Sequence, residues 1–143
     1  MTKLHLIAKT VVINEEGKVL VLRRSPWPAR PNLSHQPDFP GGTVEKDETS
    51  LEGAVREMEE EIGVVADPSE FELAFDRVDT YPDSGDEVRH WLYILRLDHT
   101  PEVKLSWEHE TYEWLDAKDI VDNYGFSPFY TDVLPKLFDK KLI

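Results

Sequence analysis

The stretch from Thr49 to Gly63 constrains this chain more than any other, because it specifies a helix with both ends marked and two chemically opposed sides. Thr49 followed three residues later by Glu52 is a capping-box pattern, and Gly63 supplies the residue type that closes helices in a left-handed conformation. Leu51, Val55, Met58 and Ile62 recur at four- and three-residue steps and predict a buried stripe. At the α-helical advance of about 100° per residue, Glu57, Glu60 and Glu61 gather on another side. Glu59 makes the local like-charge repulsion worse. The run fills the last turns, where the helix dipole disfavours negative charge, so its cost has no local compensation. A cation would relieve it, which points to a site rather than to a solvated face. Hard oxygen ligands in that number, with no His or Cys among them, select magnesium or manganese over zinc.

The rest of the chain supplies strands for this helix to pack on. Leu4 to Ile13 and Val19 to Leu22, joined by the turn Glu15-Glu16-Gly17-Lys18, predict a hairpin that ends at Arg23-Arg24. Four prolines between Ser25 and Pro37 predict an ordered but irregular loop. Phe71 to Thr80 and Val88 to Leu97 read as strands, followed by a short strand near Tyr112 to Leu115. A helix is expected from about Asp116 and another from about Ser127 to Lys140, against the evidence of Pro135. With 143 residues, no repeat and no linker, a single mixed α/β domain over residues 1–143 is expected, with helices packed on a sheet. The chain carries 29 acidic and 16 basic residues, a formal net charge of -13, and no basic block, which argues against long nucleic acid as a partner. It has no cysteine, so disulfides and a cysteine nucleophile are excluded. Neither a signal-peptide core nor a run near the length of a membrane span is present, and the expected location is cytoplasmic.

Gly42, five residues, Glu48, seven residues and then Arg56-Glu57-Met58-Glu59-Glu60-Glu61-Ile62-Gly63-Val64 fill every defined position of a 23-residue signature. In this the chain resembles the Nudix hydrolases, and Phe39-Pro40-Gly41-Gly42 before the box and Tyr112-Glu113-Trp114-Leu115 near the end are similar to that family as well. The resemblance implies an α/β/α sandwich around a mixed β-sheet and a magnesium-dependent hydrolase that cuts a phosphoanhydride bond, with manganese able to substitute. It implies metal ligation by Glu57, Glu61 and the Gly41 carbonyl, with Glu60 as a third ligand or a water-orienting carboxylate. Arg56 is then mainly structural, pinning a carboxylate together with Glu48. Some relatives add an acid before the late Trp-containing strand. Glu108 is the first candidate here and Glu110 its substitute. Glu57, Glu60, Glu61 and Glu108 all remain candidates for the general base.

For the substrate, Arg23, Arg24, Arg30 and His35 are candidates to meet phosphates, and Trp27, Phe39 or Tyr81 to stack on a base, with a core position the alternative for Phe39. Pro37 stands where many relatives place a tryptophan. His35, His90 and His109 have no metal-ligand spacing and are expected to be ordinary surface or loop residues. The leading expectation is a nucleoside triphosphate or oxidised nucleotide giving a nucleoside monophosphate and diphosphate. Dinucleoside polyphosphates, ADP-ribose and nucleotide sugars are the alternatives. An isopentenyl diphosphate isomerase normally brings a cysteine, and a non-catalytic nucleotide-binding module usually shows a degraded box. A monomer or homodimer acting on a small nucleotide, apart from membranes, completes the expectation.

Overall fold

The computed structural model describes residues 2–29, 31–123 and 126–143. Strands β1 (Leu4–Ile13), β2 (Val19–Arg24), β3 (Pro37–Asp38), β4 (Gly41–Thr43), β5 (Phe71–Thr80), β6 (Glu87–Arg96) and β7 (His109–Leu115) join in one sheet. Helix α1 (Ser50–Ile62) lies on one face, and α2 (Ala117–Asn123) and α3 (Pro128–Asp139) lie on the other. The architecture is an α/β/α sandwich around a mixed sheet. β1 runs parallel to β6 along its whole length, from Leu4↔Glu87 to Ile13↔Arg96, and β6 pairs antiparallel with β5.

Covering both faces explains why β1 is buried at every position from Ala8 to Ile13 instead of alternating. Ala8 and Val12 pack with Leu20, Leu22, Met58 and Ile62 under α1. Val11 and Ile13 pack with Phe129, Val133 and Leu137 under α3. The Thr49 hydroxyl accepts from the Glu52 backbone while the Glu52 side chain returns to the Thr49 N–H, and Gly63 closes the helix at φ 70°. A cap of this kind contributes about 1 kcal/mol. Pro135 lies inside α3 yet does not end it. The hydrogen bond it removes is outweighed by burial of Phe129, Tyr130, Val133, Leu134 and Leu137 on one side of the helix.

The expected hairpin differs in one respect that matters for function. β1 and β2 pair only at Ile13↔Val19 and then diverge. β1 continues against β4 through Ile7↔Thr43, Ala8↔Gly42 and Lys9↔Gly41, while β2 continues between β3 and β7. Phe39, between β3 and β4 in the chain, is fully buried on the α3 face, stacked on Phe126 at 4.8 Å and edge-on to Tyr130. Burial of that aromatic surface fixes the segment between β3 and β4 against the α3 face of the core. Phe39 is therefore a core residue and not a surface on which a base stacks.

Candidate active site

Where β1 and β2 part, a cavity of about 780 Å³ opens, lined from β1, β2, β3, β4 and α1. Lys9 extends from β1 into it, and its ammonium donates to Asp38 Oδ2 and to the Gly41 carbonyl, each at 3.1 Å. Arg24 Nη2 meets the same Asp38 oxygen at 3.2 Å, and His109 Nε2 lies 3.4 Å from it. Lys9, Asp38 and His109 are all buried. Burial pushes the Asp38 carboxyl up, but Lys9, the hydrogen bond from His109 and Arg24 together outweigh it and hold the group well below the usual carboxylate range. The register Arg24↔His109, reached after a bulge at Glu110 of β7, brings these two residues to the same place.

Two glycines deliver the helix carboxylates. Gly41 has φ 141°, and a Cβ there would stand 2.1 Å from the Ala8 carbonyl oxygen and 2.6 Å from Lys9 Cα, so no other residue fits the turn. Its N–H donates to Glu61 Oε2 at 2.9 Å. A Cβ on Gly42 would stand 2.9 Å from the Glu57 carboxylate, so this glycine leaves the space that Glu57 fills. Glu57 and Glu61, four residues apart, thus line the cavity together with Glu108. Glu60 is rotated by about a quarter turn from Glu61, and its side chain is 59% exposed. It lies outside the cavity lining, bonded to Arg56 Nη1 at 3.2 Å. Arg56 forks onto Glu48 at 3.1 and 2.8 Å, reaches the Thr43 carbonyl at 3.0 Å and holds Glu57 Oε1 at 3.1 Å. It ties the loop, the helix and one cavity carboxylate into a single network, and Glu48 beside it raises the guanidinium pKa further.

Burial raises the Glu57 carboxyl, Arg56 opposes this, and Glu60 and Glu108 add to it. Burial also takes Glu61 from an ordinary 4.5 up to about 7, against the pull of Lys9 and the Gly41 N–H. A carboxyl raised in the folded state binds its proton more tightly folded than unfolded, so the metal-free chain loses stability as pH rises from 4.5 through about 7. Glu61→Gln is expected to flatten that window and to stabilise the metal-free chain at alkaline pH by up to about 3 kcal/mol, at about 1.4 kcal/mol per unit. Urea unfolding in chelator, at about pH 5 and about pH 8, checks this. Identical slopes in variant and wild type would contradict it.

The donors present suit a hard cation: two desolvated carboxylates, the Gly41 carbonyl with one lone pair left beside Lys9, and Glu108 at the lining. Among the described residues, no three His, Asp or Glu side chains cluster closely enough to hold a metal by themselves. This is compatible with magnesium, which commonly keeps waters and takes substrate phosphates as ligands.

Arg24, Trp27 and Tyr81 also line the cavity. Arg23 does not line it; its guanidinium donates to the His35 carbonyl at 3.1 Å. Arg30 lies outside the described residues. Glu110 pairs with His35 away from the lining. The expectation that His90 and His109 are ordinary surface residues is corrected. His90 stacks on Phe129 at 3.9 Å, and burial lowers its pKa. His109 is 5% exposed, and its Nδ1 meets no hydrogen-bond partner among the described residues. The missed signal for Lys9 and Asp38 was a lone charge in an apolar strand and an acid beside a buried aromatic. Either is costly unless it has a partner.

Residues 3–137 match the NUDIX domain family. The chain belongs to the Nudix family. It is 30% identical over 138 residues to the 8-oxo-dGTP diphosphatase of Escherichia coli (strain K12), covering 96% of this chain and 98% of that one. It is 34% identical over 82 residues to the bis(5'-nucleosyl)-tetraphosphatase (asymmetrical) of Mus musculus, covering 56% of this chain and 55% of that one. A crystal structure of the MutT protein from Methanosarcina mazei Go1 superposes with a TM-score of 0.80 at 26% identity, covering 99% of this chain and 96% of that one. This Nudix protein is a hydrolase of phosphoanhydride bonds in a nucleotide-derived substrate. No helix among its described residues is long and apolar enough to cross a membrane.

Proposed function

We propose that this Nudix hydrolase, acting as one domain over residues 1–143, cleaves a nucleoside triphosphate or its oxidised form to the monophosphate and diphosphate with magnesium. The observation that carries the reading is the Gly41-Gly42 turn, which sets Glu57 and Glu61 into a cavity also lined by Lys9 and Arg24. Carboxylates and cations lining one cavity suit a polyphosphate held through metal and through direct charge contacts. Likeness to the Escherichia coli 8-oxo-dGTP diphosphatase over nearly both whole chains supports the choice of a mononucleotide.

In this reading Glu57 and Glu61, with Glu108 and the Gly41 carbonyl, hold the metal, and Arg56 fixes Glu57. Magnesium, when bound, supplies positive charge against the phosphate oxygens and acidifies water. Water attacks phosphorus, the bridging P–O bond breaks with its electrons leaving on the departing phosphate group, and the water's proton passes to a carboxylate. The general base is drawn from Glu57, Glu61 and Glu108, because these line the cavity. Glu60, exposed and tied to Arg56, is given no ligand role and is kept as a carboxylate that orients water at the rim. Arg24 meets the phosphates, and Tyr81 and Trp27 offer faces to the base.

Turnover of a panel of nucleoside triphosphates, oxidised nucleotides, dinucleoside polyphosphates and nucleotide sugars tests the proposal, with magnesium, manganese or chelator. Metal-dependent release of diphosphate from a triphosphate, abolished by chelator, is expected. Folded protein that leaves every triphosphate intact would refute it.

A further inference from the structure

Glu108 lines the cavity from a turn just before β7, exposed and outside every helix and strand. A side chain presented from such a turn is placed only as well as the backbone beneath it is held. That backbone is bound on both sides. The Ser25 N–H donates to the Glu108 carbonyl at 2.9 Å, and Ser25 Oγ donates to the preceding carbonyl, that of Trp107, at 2.8 Å. The Glu108 N–H donates to Ser106 Oγ in a long bond of 3.4 Å, and the His109 N–H donates to the Ser106 carbonyl at 3.3 Å. The same segment then caps α1. The Ser106 N–H donates to the Glu61 carbonyl at 3.0 Å and the Lys104 N–H to the Ile62 carbonyl at 2.9 Å, and both carbonyls belong to the last turn, where the helix supplies no partner of its own. Ser25, in turn, directly follows Arg24 at the end of β2. Glu108 is thereby tied to the helix that carries Glu57 and Glu61 and to the strand that carries Arg24.

We infer that Ser25 and Ser106 are positioning residues, whose hydroxyls set Glu108 beside Glu57 and Glu61 before a metal ion arrives. The inference rests on the ligand role proposed above for Glu108 and deepens it. Ser25 binds the carbonyls of the two peptide planes that flank Glu108, and Ser106 binds the N–H between them while holding the end of α1. With those planes fixed, only the side-chain torsions of Glu108 remain to be ordered when the ion binds, and the conformational entropy of a closing loop is not spent at that moment. Serine suits both places, because a short hydroxyl reaches backbone groups one or two residues from its contact without filling the cavity. The backbone bonds made by Ser25 and Ser106 survive replacement by alanine, so the hydroxyls can be tested apart from them.

The test is equilibrium binding of manganese alone, read from the paramagnetic resonance of the free ion, to the wild type, Ser25→Ala with Ser106→Ala, Glu108→Gln, and all three substitutions together. Removing the groups that orient a metal ligand weakens binding by about 10–100-fold at a typical site, and for hydroxyls acting through the backbone a loss of at least about fivefold is expected. Glu108→Gln should lose at least as much. The triple variant should bind as Glu108→Gln does, because the serines act only through the carboxylate already removed. Ser25→Thr, which keeps the hydroxyl, should bind as wild type, and a thermal melt of each variant shows that the fold persists. Wild-type affinity in the double serine variant, or the same further loss on top of Glu108→Gln, would overturn the positioning role. Wild-type affinity in Glu108→Gln would overturn it together with the ligand role of Glu108. Because no nucleotide is present, a failure of turnover on the substrate panel counts against the proposed function alone.

Discussion

Glu57→Gln and Glu61→Ala are each expected to lower kcat by about two to four orders of magnitude while the fold persists. The two substitutions act differently. Glutamine at 57 keeps the side-chain shape beside Gly42 and the contact with Arg56, and removes only the charge that faces the cavity. Alanine at 61 removes the acceptor of the Gly41 N–H, at a cost of about 1–3 kcal/mol for an unpaired buried donor. It also removes a carboxylate that burial disfavours, so the two effects on stability oppose one another. Turnover at saturating magnesium, read beside circular dichroism and a thermal melt, separates lost chemistry from lost structure. Glu59→Gln, on the exposed side of the same helix, is the control. Wild-type rates in both variants would remove Glu57 and Glu61 from the mechanism.

What could be read from the sequence was whatever depends on near neighbours. Thr49, Glu52 and Gly63 bound α1 by bonds that close within a turn, and the structure repeats them atom for atom. β1 and β5 follow from runs of residue type, and their bounds agree with the sequence reading. Pairing is another matter. Nothing in Leu4–Ile13 or Val19–Arg24 shows that the two strands meet at one position and then part, because the partners they take instead, β4 for β1 and β3 for β2, come from residues 37–43. The same distance in sequence hid the charge network. Lys9 and Asp38 are 29 residues apart and His109 is a further 71 from Asp38, so no periodicity joins them. Each looks like an isolated surface charge until the sheet brings them together. Glu60 shows the opposite limit. Its identity is fixed by the signature, but a rotation of about 100° from Glu61 sends it toward solvent.

Lys9→Met tests that hidden network directly and is expected to cost about 3–5 kcal/mol of stability, the usual consequence of leaving a buried charge without its partner. Methionine matches the length of the lysine stem, which packs against Gly41, so the loss reports the ammonium rather than a void. Asp38 would keep Arg24 and a long contact to His109, but Lys9 is the strongest of the groups that hold it ionised. Glu61 would lose its principal opposing charge as well, and its carboxyl would rise further. Replacing both partners, as in Lys9→Met with Asp38→Leu, should recover much of the loss, because paired buried ions often exchange for apolar residues at little cost. Urea unfolding of the two single variants and the double variant closes the cycle, and additive losses would show that Lys9 and Asp38 do not act as a pair. If stability returns in the double variant while activity does not, the pair is kept for the site: Lys9 holds the Gly41 carbonyl, Gly41 holds Glu61, and the fold can do without the ammonium where the chemistry cannot.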